Sequence, residues 1–237
     1  MANRLLPFRQ YDENDVINLF ANAASDASPT TNGNGSAGVF VSIQAGNFSK
    51  DPITYVDRSE LSASQSHTRN QYPEVQLKVV AAPVGSFAGS VIGVTLKQTL
   101  EADENGEKLL YNPVKKDELQ AVLSGQAVPV ASRGIFTLTS DAIDNAGGVM
   151  DTHPTPGQAC VISPETAGKV SGVAFTTLYG GVLTSATGYA HTAEGGTVVK
   201  YTTDHVIGTW IGTGTRSTVG PITDVAAGTY GVLKLNL

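Results

Sequence analysis

The side chains of this sequence best suited to metal binding or nucleophilic catalysis are four histidines and one cysteine. The histidines are His67, His153, His191 and His205, and no two of them stand at the spacing of a metal-binding motif. His205 follows Asp204 directly, but adjacent residues of a strand face opposite sides of a sheet. We therefore expect surface histidines or hydrogen-bonded histidines in loops, with a metal site assembled from distant parts of the chain as the alternative.

Cys160 stands in a segment that resembles part of a cysteine-protease signature. Gln158-Ala159-Cys160 matches the start of that signature, but Val161-Ile162 follow where the signature requires a glycine. The apolar run instead predicts a buried strand, in which the thiol is an inert small hydrophobic group. As the only cysteine, Cys160 also leaves the chain without an internal disulfide.

Glycine-rich and acidic stretches provide the remaining candidates for chemistry. The segment 208–216 is rich in glycine, but no predicted helix follows it, and phosphate binding by such a loop needs a helix N-terminus. The carboxylate pairs Asp103/Glu104 and Asp117/Glu118 lie in a predicted turn and at a solvated helix end. Because each pattern lacks a required partner, the sequence predicts a protein that is not an enzyme and that needs no cofactor.

Composition and charge argue against several binding functions. Charged residues make up 15% of the chain, and the formal net charge is −6. The closest basic cluster, Lys115-Lys116, is followed at once by Asp117 and Glu118, so the sequence predicts no binding to nucleic acid. Long apolar stretches and a signal-peptide pattern are absent from the sequence, which predicts no membrane span and folding in a cytoplasm. A surface rich in Gly and Thr is common in assembly proteins and in stable β-sandwiches.

Short stretches of β-branched or alternating character predict a mainly β fold. Pro113–Leu123 is the one helix-like stretch, and Asn105-Gly106 predicts a type I′ hairpin turn. Because no crossover helices separate the strands, we expect small β-barrel or β-sandwich modules joined by long loops such as 59–72. The predicted strands are Val39–Ile43, Gln76–Ala82, Ser90–Thr99, Ala127–Thr139, Gln158–Ser163, Gly172–Leu178, Thr197–Thr202, Val206–Gly212 and Tyr230–Leu235.

The chain divides by composition into three segments. We predict an N-terminal arm at residues 1–24, a β module at 25–140 and a C-terminal β-barrel-like module at 141–237, with the main boundary in a Gly- and Pro-rich stretch. Within the first segment an Asx residue could cap a short turn before Val16–Phe20. Two interpretations of this segment stay open. It is either an extended arm that docks its Leu, Phe and Tyr side chains on a neighbour, or an ordinary first element of the core.

Three stretches carry a resemblance to structural proteins of tailed phages. The opening, NRLLPFRQYDENDVINLF, resembles the N-termini of phage head proteins. Residues 90–139 place an Ile-Gly-Val strand, a Gly-Glu turn and a Val-Pro-Val strand in the order that phage capsid decoration modules show. The end, GTYGVLKLNL, is compatible with the closing strands of such a barrel. Over less than half of its length, the chain is thus similar to tailed-phage capsid decoration (cement) proteins.

The resemblance implies a structural virion protein, made in the bacterial cytoplasm, that sits on the outer face of the phage head and clamps neighbouring major capsid subunits. It also implies a homo-oligomer, with a trimer favoured, and an arm that contacts the capsid by strand addition or by lying along a loop. The alternatives are another phage component, such as a tail-tube or fibre-associated protein, or a carbohydrate-binding β module. The implied contact residues, arginines as charge-paired groups and the others as apolar anchors, are Arg4, Leu5, Leu6, Phe8, Arg9 and Tyr11.

Overall fold

The protein is mainly β, and its strands form several antiparallel sheets, which confirms the predicted fold class. A computed structural model describes residues 4–22, 35–45, 77–100, 102–123, 126–144, 154–173, 178–179, 182–183, 190–192, 198–201, 203–216 and 228–237. Each stretch predicted as a strand overlaps at least one observed strand.

The bounds of the elements are as follows. The strands are β1 (Leu5–Gln10), β2 (Val16–Asn22), β3 (Phe40–Ala45), β4 (Leu77–Ala81), β5 (Val91–Thr95), β6 (Gln98–Thr99), β7 (Ala121–Val122), β8 (Ala127–Ala131), β9 (Arg133–Thr139), β10 (Ala159–Ile162), β11 (Val170–Val173), β12 (Leu178–Tyr179), β13 (Val182–Leu183), β14 (Ala190–Thr192), β15 (Val198–Lys200), β16 (Gly208–Arg216) and β17 (Gly228–Asn236). The helix α1 spans Pro113–Glu118, and short 3-10 turns occupy Glu13–Asp15, Ala88–Ser90, Leu109–Tyr111, Ser140–Ala142 and Thr203–His205.

Six strands form one sheet in the order β1-β9-β17-β16-β10-β11, with antiparallel pairing throughout. Alternate residues of the central strand β17 point into the core. Leu233 and Leu235 are buried, whereas Lys234 between them is exposed. This alternation is the period-2 pattern of a half-buried strand.

Five further strands close on themselves in the order β2-β4-β3-β5-β8 and form a small barrel. The β2–β4 pair is parallel, and the other four pairs are antiparallel. Branched side chains fill a pleated surface well, so valine suits such an interior. A cluster of buried valines lies here, formed by Val39, Val41, Val79, Val122, Val128 and Val130.

One buried cluster joins the barrel to the sheet. It includes Phe40, Val94 and Ala131 from the barrel strands and Phe136 and Trp210 from the sheet. A single residue separates β8 from β9, so the chain passes directly from the barrel into the sheet. The two layers therefore share one core.

The six-stranded sheet takes strands from all three predicted segments. β1 lies in the segment predicted as an arm (1–24), β9 in the predicted first module (25–140), and the other four strands in the predicted second module (141–237). The predicted boundary therefore does not separate two sheets, because β9 before it pairs along its length with β17 after it. Residues 145–153 of the boundary stretch lie outside the described residues.

The first segment forms two strands, β1 of the sheet and β2 of the barrel, rather than an extended arm. β1 pairs with β9 at the edge of the sheet, and the Thr139 N–H donates to the Arg4 carbonyl oxygen at 3.0 Å. Leu5 is buried in the shared core, and this packing together with the backbone pairing keeps the segment on its own molecule. Asp12 then caps the 3-10 turn Glu13–Asp15 by accepting a backbone N–H at 2.8 Å, as predicted for an Asx residue there.

The α-helix is shorter than predicted. It begins as expected, with Pro113 in its first turn and the Asn112 side chain accepting a backbone N–H at 3.2 Å. It ends at Glu118 rather than Leu123, because Gln120 adopts a positive φ of 48° and the next residues form β7, which pairs in parallel with β6. No helix within the described residues is long and apolar enough to cross a membrane.

The turn at Asn105-Gly106 is not the predicted type I′ turn. Type I′ requires a positive φ at both central residues, and of this pair only Gly106 has one, at 83°. The Gly106 N–H donates to the Asp103 carbonyl oxygen at 3.1 Å, and the Asp103 N–H donates to the Glu107 carbonyl oxygen at 3.0 Å. The hairpin is therefore a longer one that ends in a left-handed glycine, with the Asp103 carboxylate accepting two further backbone N–H groups.

Candidate contact surface

Cys160 lies in the buried strand that the sequence predicts. Its side chain is fully buried in β10, whose backbone pairs with β11 and β16. Burial raises the pKa of the Cys160 thiol, which keeps the sulfur protonated at neutral pH. Because the thiolate is the nucleophile, the buried thiol behaves as a small apolar side chain.

His205 lies in an aromatic cluster that joins two distant segments of the chain. Its ring centroid is 4.3 Å from that of Phe87 and 5.4 Å from that of Tyr201. The Tyr201 hydroxyl donates to the Ile162 carbonyl oxygen at 2.9 Å, and burial, with the nearby Asp144 carboxylate as a lesser cause, raises the pKa of Tyr201. His205 is thus a buried histidine with partners, and not a surface one.

The other histidines add no site to the described parts of the chain. His67 and His153 lie outside the described residues, as does the loop 59–72, and His191 lies in β14. Where the structure describes the chain, no three His, Cys, Asp or Glu side chains form a group that could hold a metal ion. The surface of β1 is therefore the candidate functional site that remains from the sequence.

Two of the six predicted contact residues, Arg4 and Leu5, are buried. They are 3% and 5% exposed, respectively. A Cβ added to Gly38 would lie 3.0 Å from the Leu5 Cβ, which shows how closely the chain packs there. Burial lowers the pKa of Arg4, and the Asp141 carboxylate opposes that effect. Their predicted role as contact residues is corrected, because the folded protein presents neither side chain to a partner.

The other four predicted contact residues, Leu6, Phe8, Arg9 and Tyr11, are accessible. Phe8 is 73% exposed, and Tyr11 is 38% exposed with its ring stacked on Phe136 at a centroid distance of 6.0 Å. Leu6 and Arg9 are half-buried. Since β1 pairs with β9 on both sides of Phe8, at Leu5 and at Arg9, Phe8 is an exposed aromatic side chain on a strand held at both ends.

β1 forms one wall of a groove of about 430 Å³. The end of α1 and the turn after it, from Glu118 to Gln120, form another wall, and Leu96 and Gln98 also line the groove. Apolar lining comes mainly from leucines on both walls, with Arg9, Glu118 and the two glutamines as polar groups. We call this feature the β1 groove.

Hydrogen bonds fix the shape of the β1 groove, and they use only one of the N–H donors of Arg9 within the described residues. The Gln98 side-chain amide donates to the Leu119 carbonyl oxygen at 2.6 Å, which ties β6 to the turn after α1. Arg9 Nη1 donates to the Leu96 carbonyl oxygen in a long bond of 3.4 Å. Within the described residues no carboxylate forms an ion pair with Arg9. Arg9, a half-buried residue whose guanidinium has several further N–H donors, therefore lines the β1 groove.

Gln120 stands at the edge of the β1 groove in a strained conformation. Among the described residues it is the one non-glycine residue with a positive φ. Its N–H donates to the Asp117 carbonyl oxygen at 3.0 Å, so it ends the helix as a left-handed residue in a position where glycine is usual. Strain of this kind is often found beside binding sites.

Comparisons with protein-family models, with curated proteins and with solved structures find no match for the chain. The resemblance to decoration proteins therefore depends on the strand patterns of the sequence alone. The geometry of β1 is the structural observation that bears on function.

Sequence reasoning missed other exposed apolar side chains. Tyr111 is 69% exposed, Val114 is exposed on α1, and Phe87 is exposed at the edge of its aromatic cluster. The helix on which Val114 stands has only six residues, and none of them is buried. The β1 groove was also missed, since it forms only where β1 meets the turn after α1.

Proposed function

We propose that the chain is a structural virion protein that binds the outer surface of a tailed-phage head and cements neighbouring major capsid subunits. The observation that carries the proposal is the surface of β1, where Phe8 is 73% exposed on an ordered strand. Aromatic side chains are enriched at the energetically important centres of protein interfaces. Such a surface supports a role in protein binding.

Phe8 suits an anchoring role because binding costs it little conformational freedom. Leu5, on one side of Phe8, is buried and paired with β9, and Arg9 on the other side is paired with it too, so the backbone of Phe8 is held from both sides. An anchor on a fixed backbone loses less entropy on binding than one on a flexible segment. In this proposal β1 is a preorganised contact strand, in place of an arm that becomes ordered on contact.

Charge supports the outer face of the head as the location. The net charge is −6, and only 15% of the residues are charged. Packaged DNA repels an acidic protein, so the outer face is the favourable location. A modest affinity for each site is sufficient, because neighbouring sites on one shell are occupied together.

Binding to phage heads tests the proposal. Expanded, undecorated heads of the phage that encodes the chain are mixed with the protein, and bound protein is measured by co-sedimentation at increasing concentration. We expect saturable binding that Phe8→Ala weakens about tenfold or more, the loss typical of a central aromatic anchor. Tyr111→Ala is the matched control, because Tyr111 is 69% exposed but lies on another element. It should bind as the unaltered protein does.

The outcomes separate the proposed function from its alternatives. No saturable binding to expanded heads would refute the decoration role, and equal binding by Phe8→Ala would remove β1 from the contact. Rings or tubes formed by the purified protein would favour a tail-tube subunit, whereas a compact trimer fits decoration. If the protein were a carbohydrate-binding module, Trp210 could not contact the carbohydrate, since that side chain is fully buried.

A further inference from the structure

We propose that the β1 groove binds an extended segment of the partner protein in which an apolar side chain stands next to an aspartate or glutamate. This inference rests on the proposed function for the partner being a protein, and it reverses the direction of contact that the sequence implies. The residues beside Phe8 receive a segment of the partner, and do not themselves insert into it.

Leucine side chains make the groove apolar. Leu6, Leu96 and Leu119 line a volume of about 430 Å³. That volume is within the range of binding pockets for small ligands, which is roughly 300–1,000 Å³. An aliphatic side chain placed here removes leucine surface from water on both walls. The groove therefore favours an apolar residue over a wholly polar segment.

Arg9 is the cationic residue of the groove. It is half-buried as a residue, lacks an ion-pair partner within the described residues, and makes one long hydrogen bond to the Leu96 carbonyl oxygen. A partly desolvated guanidinium binds a carboxylate through two parallel N–H···O bonds, a geometry that no neutral side chain reproduces. Glu118 also lines the groove and repels a second carboxylate, so a segment with a single acidic residue, placed at Arg9, is favoured.

The shape of β1 favours side-chain recognition over strand addition by a second copy of the chain. Leu5 pairs with Leu138 and Arg9 with Phe136, so four steps along β1 correspond to two along β9, and the strand bulges between them. Pro7 lies within that bulge and offers no N–H to an added strand. An edge of this kind prevents a continuous ladder of backbone hydrogen bonds with an added strand. The side chains of the groove must therefore provide the recognition.

Peptide binding followed by NMR tests this inference. The ¹⁵N-labelled full-length protein is titrated with N-acetyl-Leu-Asp-Leu-amide and with the uncharged isostere N-acetyl-Leu-Asn-Leu-amide. We expect the aspartate peptide to shift the amide signals of Arg9, Leu96 and Gln120, and to bind about tenfold more tightly than the asparagine peptide. Arg9→Gln should abolish that preference. Arg133→Gln, which removes an exposed arginine beyond the groove lining, should retain it.

Two results would overturn the inference: equal affinity for the two peptides, or shifts confined to other parts of the protein. Heads provide the separate check on the proposed function. If the peptide preference is absent while Phe8→Ala still weakens binding to heads, the groove inference fails and decoration stands. If the preference is present while the protein does not bind heads, decoration fails and the groove remains a site for acidic, apolar segments.

Discussion

A methyl group added at Gly231 tests how tightly the sheet packs on its core. Gly231 lies on β17, and a Cβ built there would lie 2.5 Å from Cζ3 of Trp210, 3.0 Å from its Cε3 and 3.2 Å from Cδ1 of Ile143. Carbon atoms in contact prefer a separation of about 3.5–4.0 Å. Gly231→Ala therefore requires the buried indole ring to move by about 1 Å.

The expected cost follows from two opposing effects. Forcing an extra carbon into a well-packed core typically costs about 1–3 kcal/mol. Alanine also has less conformational freedom than glycine in the unfolded chain, which returns about 0.4–1 kcal/mol. We therefore expect Gly231→Ala to lower the free energy of unfolding by about 1–2 kcal/mol. For a chain of this size the melting temperature should fall by about 2–8 °C.

Gly212 on the neighbouring strand β16 provides the matched control. A Cβ there would lie 3.7 Å from the nearest Val232 atoms, which is ordinary contact, so Gly212→Ala should be neutral or slightly stabilising. Urea unfolding followed by far-UV circular dichroism measures both variants. Trp210, the only tryptophan, reports its own burial by fluorescence.

A double-mutant cycle with Trp210→Phe shows whether the indole ring is the source of the cost. The smaller ring should leave room for the new methyl group, so Gly231→Ala should cost less in that background than in the unaltered protein. The reasoning is refuted if Gly231→Ala is as stable as the unaltered protein, or if Gly212→Ala loses as much stability.

Two further predictions concern Gln120 and Tyr201. Gln120→Gly should raise the free energy of unfolding by up to about 1 kcal/mol, because glycine removes the cost of the left-handed conformation. Gln120→Ala, measured in the same urea titration, should give no gain, and a gain equal to that of glycine would contradict the strain argument. The pKa of Tyr201 is raised in the folded state, which therefore favours the neutral phenol. This preference stabilises the fold below about pH 10, and the stabilisation is lost as the pH rises above that value. Tyr201→Phe should therefore reduce stability at pH 7 by about 1 kcal/mol, through the lost hydrogen bond to the Ile162 carbonyl oxygen, yet show a shallower loss above pH 10. An unchanged pH profile would show that Tyr201 does not titrate with unfolding.

Much of the local structure could be predicted from the sequence. The strand around Cys160 and the strand β17 follow from short apolar or alternating runs, which report how each residue faces the core. The cap at Asp12 and the helix start at Pro113 depend on side chains within a few residues of the backbone groups they satisfy. Such interactions join residues that are close together in the sequence, so they can be predicted without the tertiary structure.

Part of the candidate surface could also be predicted. The sequence identified the segment that contains Phe8, Arg9 and Tyr11 as a place where apolar and cationic side chains stand together. It could not separate these residues from the buried Arg4 and Leu5, because that depends on which residues of β9 lie beside β1. Until the strand that pairs with it is known, the same segment is equally compatible with an extended arm and with a core strand.

Only the tertiary structure decided how distant segments come together. It paired β1 with β9 and β9 with β17, so that residues from all three predicted segments share one sheet. It also brought the end of α1 and the turn after it next to β1 to form the β1 groove, and ended the helix early at Glu118, just before the left-handed Gln120. The physical reason is that the hydrophobic effect is non-directional, so it does not specify which distant segments pack against each other. Composition and alternation determine that a strand is half-buried, whereas which strand covers it depends on the packing of the whole core.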